Sequence, residues 1–189
     1  MSDTDVTLLE TADVPPHQHP EYVSYGQRGI AQTVPYYAAN NPVPSSDLGA
    51  LLAVRMHVPA GQEIVALGIA IDIPSGGYIN GTWRAGLYSA DDRDFLEPLA
   101  VSAPSPAVPG VWWKATFHRP LPAADTARPL WAVIEFGQVE GMTVLTNKPY
   151  RSELLGGFCY RSSDHAELPA RIALGAWTPE SRVPLIALY

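Results

Sequence analysis

Cysteine, charge and long apolar runs are all scarce in this chain of 189 residues. Cys159 is the single cysteine, so no disulfide can form within the chain, and we expect it to be a small core residue. Charged residues make up 16% of the sequence, the formal net charge is −7, and Lys and Arg do not cluster. Phosphate neutralisation needs concentrated positive charge, so nucleic-acid binding and attachment to an anionic membrane surface are both disfavoured.

No apolar run approaches the roughly 20 residues that a membrane-spanning helix needs. The N-terminal stretch MSDTDVTLLE is acidic and lacks the basic and apolar regions of a signal peptide, so we expect neither membrane insertion nor secretion by that route. Apolar residues nevertheless reach 47%, which is enough to form a core. Aromatic residues occur beside 19 Pro and 15 Gly, a composition typical of strands and turns.

Residues 1–47 differ from the rest of the chain. They hold six prolines and show weak apolar periodicity, and proline removes a backbone donor and fixes φ. We therefore predict an extended N-terminal arm over residues 1–47, with one short strand near Tyr22–Tyr25, followed by a single domain over residues 48–189. The arm is expected to lie across its own domain or across a neighbouring subunit.

From about Leu51 onward, apolar and polar residues alternate with a period of two. The clearest segments are AVRMHV, GIAIDI, TWRAGLY, VWWKATFH and LWAVIEF, and turns rich in Pro, Gly or Asp separate several of them. Such alternation means that each strand buries one face and exposes the other. Eight or nine short strands without a convincing helix predict an all-β fold, an antiparallel β-sandwich or jelly roll.

Signatures of catalysis are weak. The chain has no G-x-S-x-G motif and no phosphate-binding glycine loop, and no spacing singles out a pair of carboxylates. Ser162, Ser163, Asp164 and His165 are adjacent, but neighbouring residues of an extended chain point in alternating directions and seldom form a triad. We therefore expect a protein that is not an enzyme.

Metal and cofactor sites are equally weak in the sequence. His17 and His19 can face the same way in an extended segment, but two ligands do not complete a closed site. Asp91, Asp92 and Asp94 offer oxygen ligands at a hairpin tip without the EF-hand pattern, and the question of calcium stays open at this point. We expect no metal site and no cofactor.

Aromatic residues on the outward faces of the strands are the most informative feature. If Trp113 faces the core, its neighbour Trp112 faces away, and the same alternation places Trp131 and Tyr88 outward. Flat rings flanked by polar groups suit sugar rings and protein interfaces alike. Three readings stay open: contact with the arm or a subunit, contact with a glycan, and ordinary surface. The candidate binding residues are Trp112, Trp131, Tyr88, Arg84, Lys114 and Glu135.

The order NGTWRAGLYSADD, GVWWKATFHRPL and RPLWAVIEF resembles a β-sandwich module of tail and virion-associated proteins of tailed bacteriophages. It is also similar to some bacterial carbohydrate-binding sandwiches. The closing GAWTPESRVPLIAL resembles the short last strand of many phage sandwiches. The likeness covers about Leu51 to Phe136 and the last dozen residues.

The resemblance implies a structural virion protein that decorates the head or forms part of the tail tip. Such a protein is made in the host cytoplasm without a signal peptide, and it commonly forms a homotrimer whose arms reach other virion proteins. Binding of a cell-surface glycan is compatible with this role. The alternative is a stand-alone, non-catalytic carbohydrate-binding module.

Overall fold

The computed structural model describes residues 29–33, 39–72, 81–90, 95–108, 110–136, 139, 142–147, 159–163 and 167–189. Within these residues the chain forms fourteen strands, one turn of α-helix and one 3-10 turn. They are β1 (Ala31–Gln32), β2 (Asn41–Pro44), α1 (Ser45–Leu48), β3 (Leu51–Val58), β4 (Ile64–Asp72), β5 (Thr82–Ala90), β6 (Phe95–Val101), β7 (Ser105–Pro106), β8 (Trp112–Leu121), β9 (Arg128–Glu135), β10 (Thr143–Thr146), β11 (Cys159–Ser162), β12 (Ile172–Ala173), the 3-10 turn (Leu174–Ala176), β13 (Thr178–Pro179) and β14 (Ile186–Leu188).

Two antiparallel sheets form the predicted sandwich, which confirms the all-β fold class. The larger sheet has the order β12-β6-β5-β9-β3-β11-β13, with β7 paired to β5. The smaller sheet has the order β1-β14-β4-β10-β2, with β8 on the other side of β4. Its central strand β4 therefore pairs with β8 along one edge and with both β14 and β10 along the other.

The main core lies between the sheets and is built by the alternation seen in the sequence. Each long strand turns one set of alternate residues inward: Val54, Met56 and Val58; Leu67, Ile69 and Ile71; Trp83, Ala85 and Leu87; Trp113, Ala115 and Phe117; Leu130, Ala132 and Ile134. The rings of Trp83 and Trp113 stack across the core with centroids 5.5 Å apart. Cys159 is buried in the same core, as predicted.

Parts of the predicted arm are integral to the sandwich. β1 pairs with β14, and β2 pairs with β10 at the outer edge of the smaller sheet. Val43 of β2 packs in the main core. Ser45 N–H donates to Met142 O, which places the N–H groups of alternate residues, 45 and 43, towards β10. Residues 42 and 44 therefore turn their backbone nitrogens away from β10, so Pro42 and Pro44 are compatible with this edge strand. The strand predicted near Tyr22–Tyr25 lies outside the described residues, and the boundary at residue 47 stays a prediction.

No helix among the described residues is long and apolar enough to cross a membrane.

Candidate functional site

The six predicted site residues lie on two different outer faces of the sandwich. Trp112 and Lys114 belong to β8 and face outward from the smaller sheet, whereas the other four belong to β5 and β9 of the larger sheet. The two groups are therefore separated by the full thickness of the sandwich. They do not form one site.

The four residues on the larger sheet form two cross-strand pairs. Arg84 lies opposite Glu135, and Tyr88 lies opposite Trp131. Arg84 Nε donates to Glu135 Oε2 at 2.8 Å. The prediction that the two aromatic rings are exposed is wrong, because Tyr88 is 0% and Trp131 5% exposed. Both rings do point away from the main core, but a further segment of the chain covers them.

Residues 167–177, which we call the strap, cover this face of the larger sheet. Ile172, Leu174 and Trp177 of the strap pack with Tyr88 and Trp131 in a second hydrophobic cluster. The alternation of the sheet is preserved, and its outward apolar side chains are buried by this added layer. The covering segment is not the N-terminal arm that the sequence had offered as a candidate.

Two polar contacts fix the strap to the sheet. Leu168 N–H donates to Glu135 Oε2 at 3.0 Å, so one buried carboxylate oxygen serves both the strap and Arg84. The Tyr88 hydroxyl donates to Pro169 O at 2.8 Å. Burial, and secondarily the Glu135 charge, raise the pKa of Tyr88 to about 12. These contacts attach the strap to the larger sheet, and the strap buries the rings of Tyr88 and Trp131.

The outer face of the smaller sheet is built differently, on a floor of small residues. Ala66, Gly68 and Ala70 point outward along β4, and Ala187 of β14 lies beside Gly68. The half-buried Trp112 indole lies across Gly68: a Cβ added there would come within 2.6 Å of Trp112 Cε2. Glycine is thus required at position 68 to admit the ring, which lies flat against the sheet.

Lys114 and Tyr189 complete this face. Lys114 Nζ lies 4.5 Å from the centroid of the Tyr189 ring, a distance at which a cation and an aromatic face attract. The backbone of Tyr189 is held against β4, since its N–H donates to Ala66 O at 3.0 Å and its carbonyl accepts from Ala66 N–H at 3.1 Å. We call Trp112, Lys114 and Tyr189 the outer platform. Tyr189 was missed from sequence because it follows the short strand β14 and carries no motif of its own.

Beyond the outer platform, β8 carries further exposed polar side chains. Thr116, His118 and Arg119 are all exposed. The segment from Gly110 to Leu121 contains no Asp or Glu, which is notable in a chain of net charge −7. The carboxylates nearest to the platform along β4 are exposed Asp72 at its end and Glu63 just before its start. On the platform itself, Lys114 therefore lies beside aromatic rings, on a strand with no carboxylate of its own.

A separate ionic cluster joins the end of α1 to the C-terminal part of the chain. Glu180 receives two hydrogen bonds from the Arg182 guanidinium, at 2.8 and 2.7 Å, and pairs with Arg161 at 3.5 Å. Both guanidinium groups also donate to Asp47 O. Although burial opposes it, the hydrogen bonds and charge of Arg182, with Arg161, hold the pKa of Glu180 below its ordinary value. The charges of Arg161 and Arg182 are therefore largely compensated by partners within the chain.

The remaining candidate groups give no reactive site in the described part of the chain. Burial raises the pKa of the Cys159 thiol, which disfavours the nucleophilic thiolate. Ser162 is buried, whereas Asp164 and His165 lie outside the described residues. The described residues contain no group of three or more His, Cys, Asp or Glu that could hold a metal ion. His17, His19 and the three aspartates at 91, 92 and 94 also lie outside them.

Comparison of the chain with protein-family models, with curated proteins and with solved structures gives no match. The resemblance to phage sandwich modules therefore rests on the sequence motifs alone.

Proposed function

We propose that this protein is a non-catalytic structural component of a tailed-phage virion, made in the host cytoplasm, that acts through contacts between subunits. The observation that supports this role most directly is the way the N-terminal segments join the fold. β1 and β2 are short strands added to the smaller sheet by a stretch that precedes its long strands, which is how assembly arms attach to a folded domain.

The attachment of β1 combines backbone ladder bonds with the Thr33 hydroxyl, which donates to Pro184 O and accepts from Ile186 N–H at 2.9 Å. Ile30 N–H donates to Leu188 O at 2.7 Å, and Thr33 N–H donates to Ile186 O at 3.0 Å. Such ladder bonds depend little on which chain supplies the strand, so an arm can exchange between identical subunits at low cost. In a homotrimer, residues 1–28, which lead into β1, would reach a neighbouring subunit and link it to the first.

The test is the native mass of the full chain and of a variant that lacks residues 1–28, measured by light scattering. The deletion stops at residue 28 because Val43 is part of the main core, so removal of all 47 residues would damage the sandwich. We expect a trimer that falls to a monomer with an unchanged circular-dichroism spectrum. A full chain that is monomeric at all concentrations would refute the proposal. A chain with residues 1–28 in scrambled order controls for length and composition.

A stand-alone carbohydrate-binding module is the second candidate, and the outer platform favours it. An indole held flat against a sheet beside a tyrosine ring and an ammonium group can stack on a sugar and bind its hydroxyls. On this reading, Trp112→Ala weakens sugar binding by about 1–3 kcal/mol, by analogy with base stacking on aromatic side chains. Trp131→Ala should instead lower stability, because that ring is buried. Absence of any signal for the full chain on a broad glycan array would count against this candidate.

A further inference from the structure

The outer platform combines aromatic surface with positive charge. Lys114 is exposed, and Trp112 and Tyr189 are each partly exposed. Further along β8, His118 and Arg119 are exposed as well. A surface of this kind is complementary to an extended segment that carries both carboxylates and apolar side chains. An acidic peptide gains from the cations, and its apolar residues cover the rings.

The N-terminal 28 residues of the same sequence have this composition. They contain five carboxylates and one guanidinium, which gives a net charge of −4 without counting histidine. Four of the carboxylates fall before residue 14, in a stretch that also holds apolar side chains. The carboxylates are Asp3, Asp5, Glu10 and Asp13, and the apolar residues among them include Val6, Leu8 and Leu9.

The N-terminal segment is long enough to reach the platform of another copy. β1 lies three strand positions from β8, across β14 and β4, which corresponds to about 14 Å. The acidic stretch is separated from Gly29 by the fifteen residues 14–28, which include three prolines. Fifteen residues span at most about 45–50 Å when fully extended. That length is sufficient for the acidic stretch to meet a neighbouring platform.

We infer that the outer platform binds the acidic N-terminal segment, residues 1–28, of a neighbouring copy of this chain. This inference rests on the proposed assembly function and adds the surface on which the arm docks. Lys114 and Arg119 attract the carboxylates, and the rings of Trp112 and Tyr189 bury the apolar side chains between them.

The experiment is a charge exchange in the full chain. The platform variant carries Lys114→Glu and Arg119→Glu. The arm variant carries lysine at the four early carboxylates: Asp3→Lys, Asp5→Lys, Glu10→Lys and Asp13→Lys. A third protein carries both sets, and Arg55→Glu, an exposed change on the other sheet, is the matched control. The concentration at which each oligomer is half dissociated is measured by analytical ultracentrifugation at low and at physiological salt.

We expect each charge-reversed set to raise that concentration at least tenfold, and the combined protein to recover most of the loss. The control should behave like the parent chain, and added salt should weaken the parent oligomer. If the parent is oligomeric but both sets leave its dissociation unchanged, the docking surface is wrong while the assembly function stands. If the parent is monomeric, the assembly function itself is wrong. Loss of glycan-array binding in the platform variant at unchanged mass would assign the platform to a sugar and overturn the inference.

Discussion

Replacement of Gly68 by alanine tests the packing of the outer platform. The added Cβ would lie within 2.6 Å of Trp112 Cε2, so the indole must leave the sheet. If the ring loses about 100 Å² of apolar contact, half of what a buried aromatic covers, the cost is ~2.5 kcal/mol. Alanine regains about 0.5–1 kcal/mol because glycine is unfavourable within a strand. We therefore expect Gly68→Ala to lower the free energy of unfolding by roughly 1.5–2 kcal/mol.

A double-mutant cycle with Trp112→Ala isolates this contact, because without the indole the new methyl group meets no ring. In that background Gly68→Ala should be neutral or should stabilise by about 0.5–1 kcal/mol. Four proteins are needed, each unfolded in urea and followed by circular dichroism, since five tryptophans complicate fluorescence. An equal cost of Gly68→Ala with and without the indole would show that Trp112 does not lie across Gly68.

Three further substitutions test the strap and the ionic cluster. The pKa of Tyr88 is raised to about 12, so the parent chain should lose up to about 2–3 kcal/mol of stability between pH 10 and 12. The free energy of unfolding in urea is measured at pH 9 and at pH 11.5, and Tyr88→Phe should lose less of it than the parent does. Equal losses would contradict this. The pKa of Glu180 is lowered, so its stabilisation is present above about pH 4.5 and is lost on acidification. Glu180→Gln should cost about 1–3 kcal/mol at pH 7, and its deficit should shrink towards pH 3; a deficit that stays constant would rule out the ion pair as its source. Glu135→Gln weakens the hydrogen bond from Leu168 N–H, so trypsin should cut faster after the exposed Arg171 of the strap. The cleavage rate is followed by mass spectrometry. The control Glu97→Gln, which changes the ion-pair partner of Arg171, should not match that effect.

The sequence was sufficient to predict the sandwich because each long strand has one apolar face. Trp83 and Trp113, for example, fall on the inward face by alternation alone, and they meet across the core. Alternation reports which residues share a face, but not what covers the opposite face. For this reason Trp131 and Tyr88 were expected on the surface, although the strap buries them.

The strap and the outer platform could not be predicted because both depend on contacts between distant segments. Leu168 to Trp177 shows no periodic pattern, and its position follows from the hydrogen bond to Glu135, 33 residues away. The platform depends on Tyr189 lying next to Lys114, which only the pairing of β14 with β4 brings about. Alternation along β8 predicted that Trp112 faces outward. It could not predict that position 68 must be glycine, because that requirement comes from the contact of the Trp112 ring with the neighbouring strand β4.

The position of β14 determines the order in which the parts of a nascent chain can fold. β14 lies inside the smaller sheet, between β1 and β4, although it is translated more than a hundred residues after both. At about 5–20 residues per second, β4 waits roughly 6–23 s on the ribosome for that partner. Strands β5, β6 and β9 of the larger sheet are made in the meantime, and they can pair with each other and with the earlier strand β3 first. Until β14 emerges, the middle of one edge of β4 lacks its partner, so products stalled before residue 186 should be prone to aggregation and should recruit chaperones.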